Sequence, residues 1–127
     1  MAPITSLYTG LLGLLIVTLA LYVVRTRWRE QVPLGEGDNK KMQQAIRVHG
    51  NAIENIPIFL ILLFLAELNH YSTQFLHIMG SLFFIARLLH AWGLHRNRSF
   101  SFGRFTGNLI SWLLISILSS LLIIQAL

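Results

Sequence analysis

Arg47, Asn51 and Glu54 stand four and then three residues apart at the start of a segment that turns apolar within another turn of helix. At about 100° per residue they fall within an arc of roughly 60°, while Val48, Ala52 and Ile56 point elsewhere. An ionisable group facing lipid near mid-membrane costs on the order of 2 to 4 kcal/mol, so this face is expected to turn inward and be paired. Further polar groups fall in the same half of the chain's helices. Arg87 and His90 are three residues apart and share a helix face, and Asn108 and Ser111 follow Arg104 by four and seven residues. For Arg87 two roles compete: snorkelling to lipid headgroups, or an ion pair with Glu54 inside the bundle. Arginines outnumber carboxylates in this set. Guanidinium groups stay charged and bind carboxylates through two parallel hydrogen bonds, so the set reads as an internal pocket for an anionic ligand.

Other chemistries find little support. The chain has no cysteine, which excludes disulfides, zinc thiolates and a protein thiol nucleophile. Any thiol chemistry must use sulfur supplied by a cofactor. The five histidines show no His-Glu-x-x-His pattern, so no metal site is expected. Asp38 is the sole aspartate, no Ser/His/Asp arrangement stands out, and no glycine-rich phosphate loop is present. A net charge of +5 raises the question of nucleic acid, but the basic residues sit at the ends of apolar segments without interleaved aromatics. Membrane topology explains them, and no nucleic-acid partner is expected.

The elements that must carry these residues are transmembrane helices. In 127 residues, 54% of them hydrophobic, there is room for one domain, and a mean hydropathy of +0.62 marks an integral membrane protein. Residues 4–24 carry no charge and suffice to cross a hydrocarbon layer of roughly 30 Å. Met1-Ala-Pro-Ile-Thr-Ser lacks a basic start, so this helix is expected to be retained rather than cleaved. Gly10 and Gly13 offer a seam for close helix approach. Arg25, Arg27 and Arg29 around Trp28 form an interfacial anchor, expected on the cytoplasmic side. After a Pro/Gly loop, Asp38 or Asn39 can cap a second helix running to Leu68, with Pro57 inside it and its membrane span at 48–68. Spans three and four are expected at 75–94 and 105–127. The turn between spans two and three lacks Lys and Arg, whereas the loop after span three is basic, so both termini are placed on the non-cytoplasmic side. The aromatics Trp92, Phe100, Phe102 and Trp112 suit interfacial anchoring or the lining of an acceptor cleft. No repeat is visible, and a single all-α, four-helix membrane bundle is the economical architecture.

These residues also carry a family resemblance. Arg47-x-x-x-Asn51-x-x-Glu54-x-x-Pro57, then Arg87-x-x-His90, then Arg104, on four short spans, resembles the MAPEG superfamily, the membrane-associated proteins in eicosanoid and glutathione metabolism. The likeness runs over nearly the whole chain and is greatest to the small bacterial members, which implies an inner-membrane location. It further implies a homotrimer that binds glutathione between subunits and acts on a lipophilic substrate arriving from the bilayer. Arg47, Asn51, Glu54 and Arg87, with His90 beside them, would form the glutathione site. Arg104 would match the arginine that holds the glutathione sulfur as thiolate, across a loop one residue longer; a nearby guanidinium lowers a thiol's pKa. Glu54 would pair with Arg87 or with the glutathione amine.

The chain also departs from that pattern. A tyrosine that contacts glutathione in the eicosanoid-forming members is replaced by Leu94, and a second basic residue of prostaglandin E synthase by Gly50. The resemblance therefore implies a glutathione-dependent transferase or peroxidase, set against two alternatives. One is a non-catalytic protein of the same fold that binds another anionic metabolite. The other is a small proton-coupled exporter using Glu54, although neighbouring arginines favour its ionised state and oppose proton cycling.

Overall fold

The computed structural model describes residues 1–93 and 102–127. Leu94, the basic residues of the loop at 95–98 and Phe100 lie outside the described residues. The chain forms four helices: α1 (Pro3–Glu30), α2 (Lys40–Leu68), α3 (Thr73–Trp92) and α4 (Phe102–Ala126). All four are long and apolar enough to cross a membrane. The protein is an integral-membrane four-helix bundle, as its composition requires.

Local chemistry sets the helix ends. Pro3 opens α1, where its missing N–H costs nothing. Asn39, rather than Asp38, caps α2 by accepting a bond from the Met42 N–H at 3.0 Å. Ser72 does the same for α3 through the Phe75 N–H. α1 runs beyond its apolar stretch to Glu30, so its last turns, with Arg25, Trp28 and Arg29, stand at the membrane surface. The N-terminus of α1 is closed by a different element. The Glu67 carboxylate, at the end of α2, accepts the Ile4 N–H at 2.9 Å and the Thr5 N–H at 2.7 Å. A negative charge on unpaired helix N–H groups is favourable electrostatically, and here it also fixes α1 against α2.

The helices pack as a four-sided bundle in which α2 and α3 approach across the middle while the backbones of α1 and α4 stay apart among the described residues. Phe59 of α2 and Phe83 of α3 stack on that short diagonal, ring centroids 3.7 Å apart and planes within 3°. Leu12, Phe59, Leu63, Phe83 and Leu118 are fully buried around them. Two glycines make the closest approaches possible. A Cβ on Gly80 would strike the ring of Tyr8, and one on Gly107 would strike the Ala86 carbonyl and come within 2.9 Å of the His90 Cβ. Gly10 and Gly13 do not serve this purpose within the protomer, because a Cβ at either meets nothing within 4 Å.

Two outcomes are expected in thermal unfolding of the detergent-solubilised protein. Gly107→Ala forces α3 and α4 apart and should cost about 1–3 kcal/mol, the usual range for overpacking, whereas Gly13→Ala should leave the transition unchanged. Glu67→Ala removes the acceptor for two helix N–H groups and should cost about 1–2 kcal/mol, with Glu67→Gln falling between the two.

Candidate functional site

Arg87 is the most deeply placed charged side chain described, at 2% exposure. It sits on α3 one turn beyond Phe83, with its guanidinium carbon 5.6 Å from the ring centroid. Its Nη1 donates to Asn51 Oδ1 on α2 at 2.6 Å, and its Nη2 to the Gly107 carbonyl at 2.9 Å and Asn108 Oδ1 at 3.1 Å on α4. The side chain thus ties three helices together. It neither snorkels to the surface nor pairs with Glu54: neutral acceptors hold it, and none of its partners is a carboxylate. The expected Arg87–Glu54 ion pair fails because the two point to different sides of α2. Asn51 is oriented towards the centre, whereas Glu54 lies about 60° further round the helix, on the outside. The Arg87 Nε is buried with no acceptor among the described residues.

The polar face of α2 also turns the other way from the sequence expectation. Val48, Ala52, Asn55 and Ile56 are buried, while Arg47 and Glu54 are exposed and Asn51 lies at the boundary. The apolar residues won the interior because they continue the buried stripe of Phe59, Leu63 and Ala66 at helical spacing. Glu54 stands fourteen residues before Leu68, hence about 21 Å from the far end of α2, within a hydrocarbon layer of about 30 Å. In a lone protomer its carboxylate would face lipid.

The remaining candidates gather around Arg87. His90 is 6% exposed and packs against Gly107 at the α3–α4 crossing. Arg104 is half-buried, one turn before Asn108 on α4, and within electrostatic reach of His90. Ser111 does not extend a polar strip towards ligand. It is fully buried and donates to the Gly107 carbonyl at 2.8 Å. Asn51, Arg87, His90, Arg104 and Asn108 therefore form one cluster, and Arg47 and Glu54 flank it on the outer surface of α2.

Sequence reasoning missed Asn55 and Gly107. Asn55, 8% exposed, donates to the Asn51 carbonyl at 2.9 Å and accepts the Trp112 indole N–H at 3.1 Å. The four-residue step from Asn51 could have pointed to it. Trp112 is thereby tied to the seam between α2 and α4 while it stays about half exposed. Gly107 contributes a carbonyl, for which residue type gives no signal. A crevice of about 680 Å³ lies at the opposite end of the bundle, between Ile4, Glu67, Tyr71 and His77, and none of the candidate residues lines it. The candidate cluster lies at a lateral face, away from that crevice. Among the described residues no group of His, Asp and Glu is arranged to hold a metal ion.

The sequence has relatives among known proteins. The chain is 38% identical over 120 residues to "Inner membrane protein YecN" of Escherichia coli strain K12, an alignment covering 93% of this chain and 90% of the relative. The protein of the same name from Escherichia coli O6:H1 strain CFT073 matches to the same extent. The family model of the MAPEG family matches residues 5–124, across all four helices. With the match running over nearly the full length, the chain belongs to the MAPEG family.

Proposed function

We propose that the protein is a membrane-embedded glutathione-dependent transferase or peroxidase acting on lipophilic electrophiles, assembled as a homotrimer whose subunits share the site. The observation that carries this reading is the outward stripe of Arg47 and Glu54, with Glu54 at membrane depth, flanking the Asn51, Arg87 and Arg104 cluster. Lipid is a poor neighbour for such a stripe. A second copy of the chain, with a polar ligand between them, would supply the missing partners.

The residues present fit glutathione, a tripeptide with two carboxylates, one ammonium group and a thiol. Arg47 would hold a carboxylate through its guanidinium fork, Glu54 would accept from the ammonium, and Asn51 would bond the peptide backbone. Glutathione supplies a thiolate sulfur as nucleophile. Arg104, on the adjoining edge of α4, would stabilise that negative charge and so raise the thiolate fraction near neutral pH. Arg87 has a different role in this scheme. Its Nη groups are engaged by Asn51, Gly107 and Asn108, so it would orient Asn51 rather than grip the ligand with its whole fork. The apolar outer surfaces of the helices leave the site open to substrates dissolved in the bilayer.

A second reading, a non-catalytic binder of another anionic metabolite, draws on the same stripe and on Gly50 and Leu94, where the chain lacks the family's further glutathione contacts.

Calorimetric titration of glutathione into the detergent-purified trimer, followed by thiolate absorbance in the ultraviolet near neutral pH, tests the proposal. Binding with a thiolate signal is expected, and Arg104→Ala should abolish the signal while the trimer stays intact and affinity falls no more than about tenfold, or 1.4 kcal/mol. Absence of binding by the intact trimer would overturn the glutathione reading and favour the second one. Arg87→Met should behave differently, lowering the melting temperature of the ligand-free protein, because it leaves Asn51, Asn108 and a backbone carbonyl without their donor at a cost of about 3–5 kcal/mol.

A further inference from the structure

The end of α1 holds a second arginine whose geometry is fixed. Arg27 Nη1 donates to the Gly35 carbonyl at 2.7 Å and to the Val32 carbonyl at 3.3 Å. The other edge of the guanidinium, Nε and Nη2, has no hydrogen-bond partner among the described residues. That edge is the side-on fork which fits two oxygens of a phosphate. Arg27, Trp28, Gln31 and Pro33 line a crevice of about 360 Å³. Its wall is shaped by Gln31, which closes α1 in the left-handed conformation at φ 55° and donates to the Trp28 carbonyl at 2.7 Å.

The surroundings favour an anion that is also a lipid. Arg25 and Arg29 are exposed on either side of Trp28. Glu30, the nearest carboxylate in sequence, is turned away into bonds with Asn39 at 2.9 Å and Lys41 at 3.1 Å. Glu36 and Asp38 are exposed on the loop, leaving the stretch 25–41 with five basic and three acidic side chains. Towards the membrane, Leu14, Val17, Leu21, Val24 and Trp28 are all at least half exposed. At about 100° per residue they share an arc of about 80° and form a continuous apolar track about 21 Å long. A phosphate at the crevice would therefore have acyl chains running down the track directly beneath it.

We propose that the α1 terminus is a binding site for an anionic phospholipid, with the headgroup phosphate on the free fork of Arg27, the indole N–H of Trp28 as a second donor, and the acyl chains along Leu21, Val17 and Leu14. The site lies on α1 and its loop, apart from the α2–α4 seam, and does not depend on glutathione binding.

Native mass spectrometry of the detergent-purified protein, titrated with phosphatidylglycerol or phosphatidylcholine of matched chains, tests it. Phosphatidylglycerol is expected to bind about tenfold or more tightly than phosphatidylcholine, and to raise the melting temperature more. Arg27→Lys, which keeps the charge but not the fork, should remove most of that preference, and Trp28→Ala part of it. Because Arg27 also ties down the loop, the variants are first compared in phosphatidylcholine, where melting temperatures near the parent's establish that they are folded; Arg25→Gln/Arg29→Gln, which leaves the loop contacts intact, serves as the second test and should weaken phosphatidylglycerol binding severalfold. Equal binding of the two lipids by the parent protein, or an undiminished preference in Arg27→Lys and Trp28→Ala, would overturn the proposal. Displacement of the lipid by millimolar inorganic phosphate would also overturn it, in favour of a soluble anion.

Discussion

A guanidinium held between helices in the membrane sets the terms for this protein. Arg87 has to find acceptors for its N–H groups in a region where water is scarce, and its two Nη groups find them on both neighbouring helices. Each requirement propagates. Asn51 must face the centre although its neighbours one turn away on the same stripe do not. Gly107 must lack a side chain so that α4 comes close enough for its carbonyl to be reached. Ser111 and Asn55 then satisfy the groups left over around them. A buried charge of this kind is weak evidence for stability in its own right, since desolvation opposes the gain. Its consequence is specificity, because few registers of α2, α3 and α4 satisfy all of its bonds together.

The two ends of the bundle are organised differently. At the end opposite the arginine cluster, Glu67 fastens the N-terminus of α1 to α2, and the Tyr8 hydroxyl contacts the His77 carbonyl at 3.0 Å and Ser81 Oγ at 2.8 Å. These bonds join different helices of the same protomer. At the other end the polar groups are partly directed outward, with Arg47 and Glu54 exposed and Glu54 at membrane depth. The proposed assembly would cover that surface with a second copy of the chain.

Membership of the MAPEG family is consistent with this arrangement, and the relative from Escherichia coli known as an inner membrane protein carries the likeness through all four helices. The division of labour among the arginines is particular to the geometry. Arg87 is committed to the framework, Arg47 is presented on the surface, and Arg104 lies half-buried between them in environment. Three residues of one type thus have separate parts, and the difference arises from depth and from which carbonyls and amides stand nearby.

Four apolar helices, the start of α2 beside Asn39 and the all-α class were legible from hydropathy and capping chemistry, because these follow from short-range interactions and from the thickness of a bilayer. Most of the polar side chains that gather around Arg87 were legible too, Asn55 excepted, since charged and amide groups are rare in such helices. Their orientation was not. Periodicity puts Arg47, Asn51 and Glu54 on one face but does not say whether that face meets helices of the same protomer or lies outside it, and the stripe of Val48, Ala52 and Ile56 claimed the interior. Nor could residue type reveal that Arg87 would be bound by Asn51, Asn108 and a backbone carbonyl in place of Glu54, or that Glu67 would close a helix 63 positions away. Such pairings depend on the rotation and depth of whole helices, which are fixed only when all four pack together.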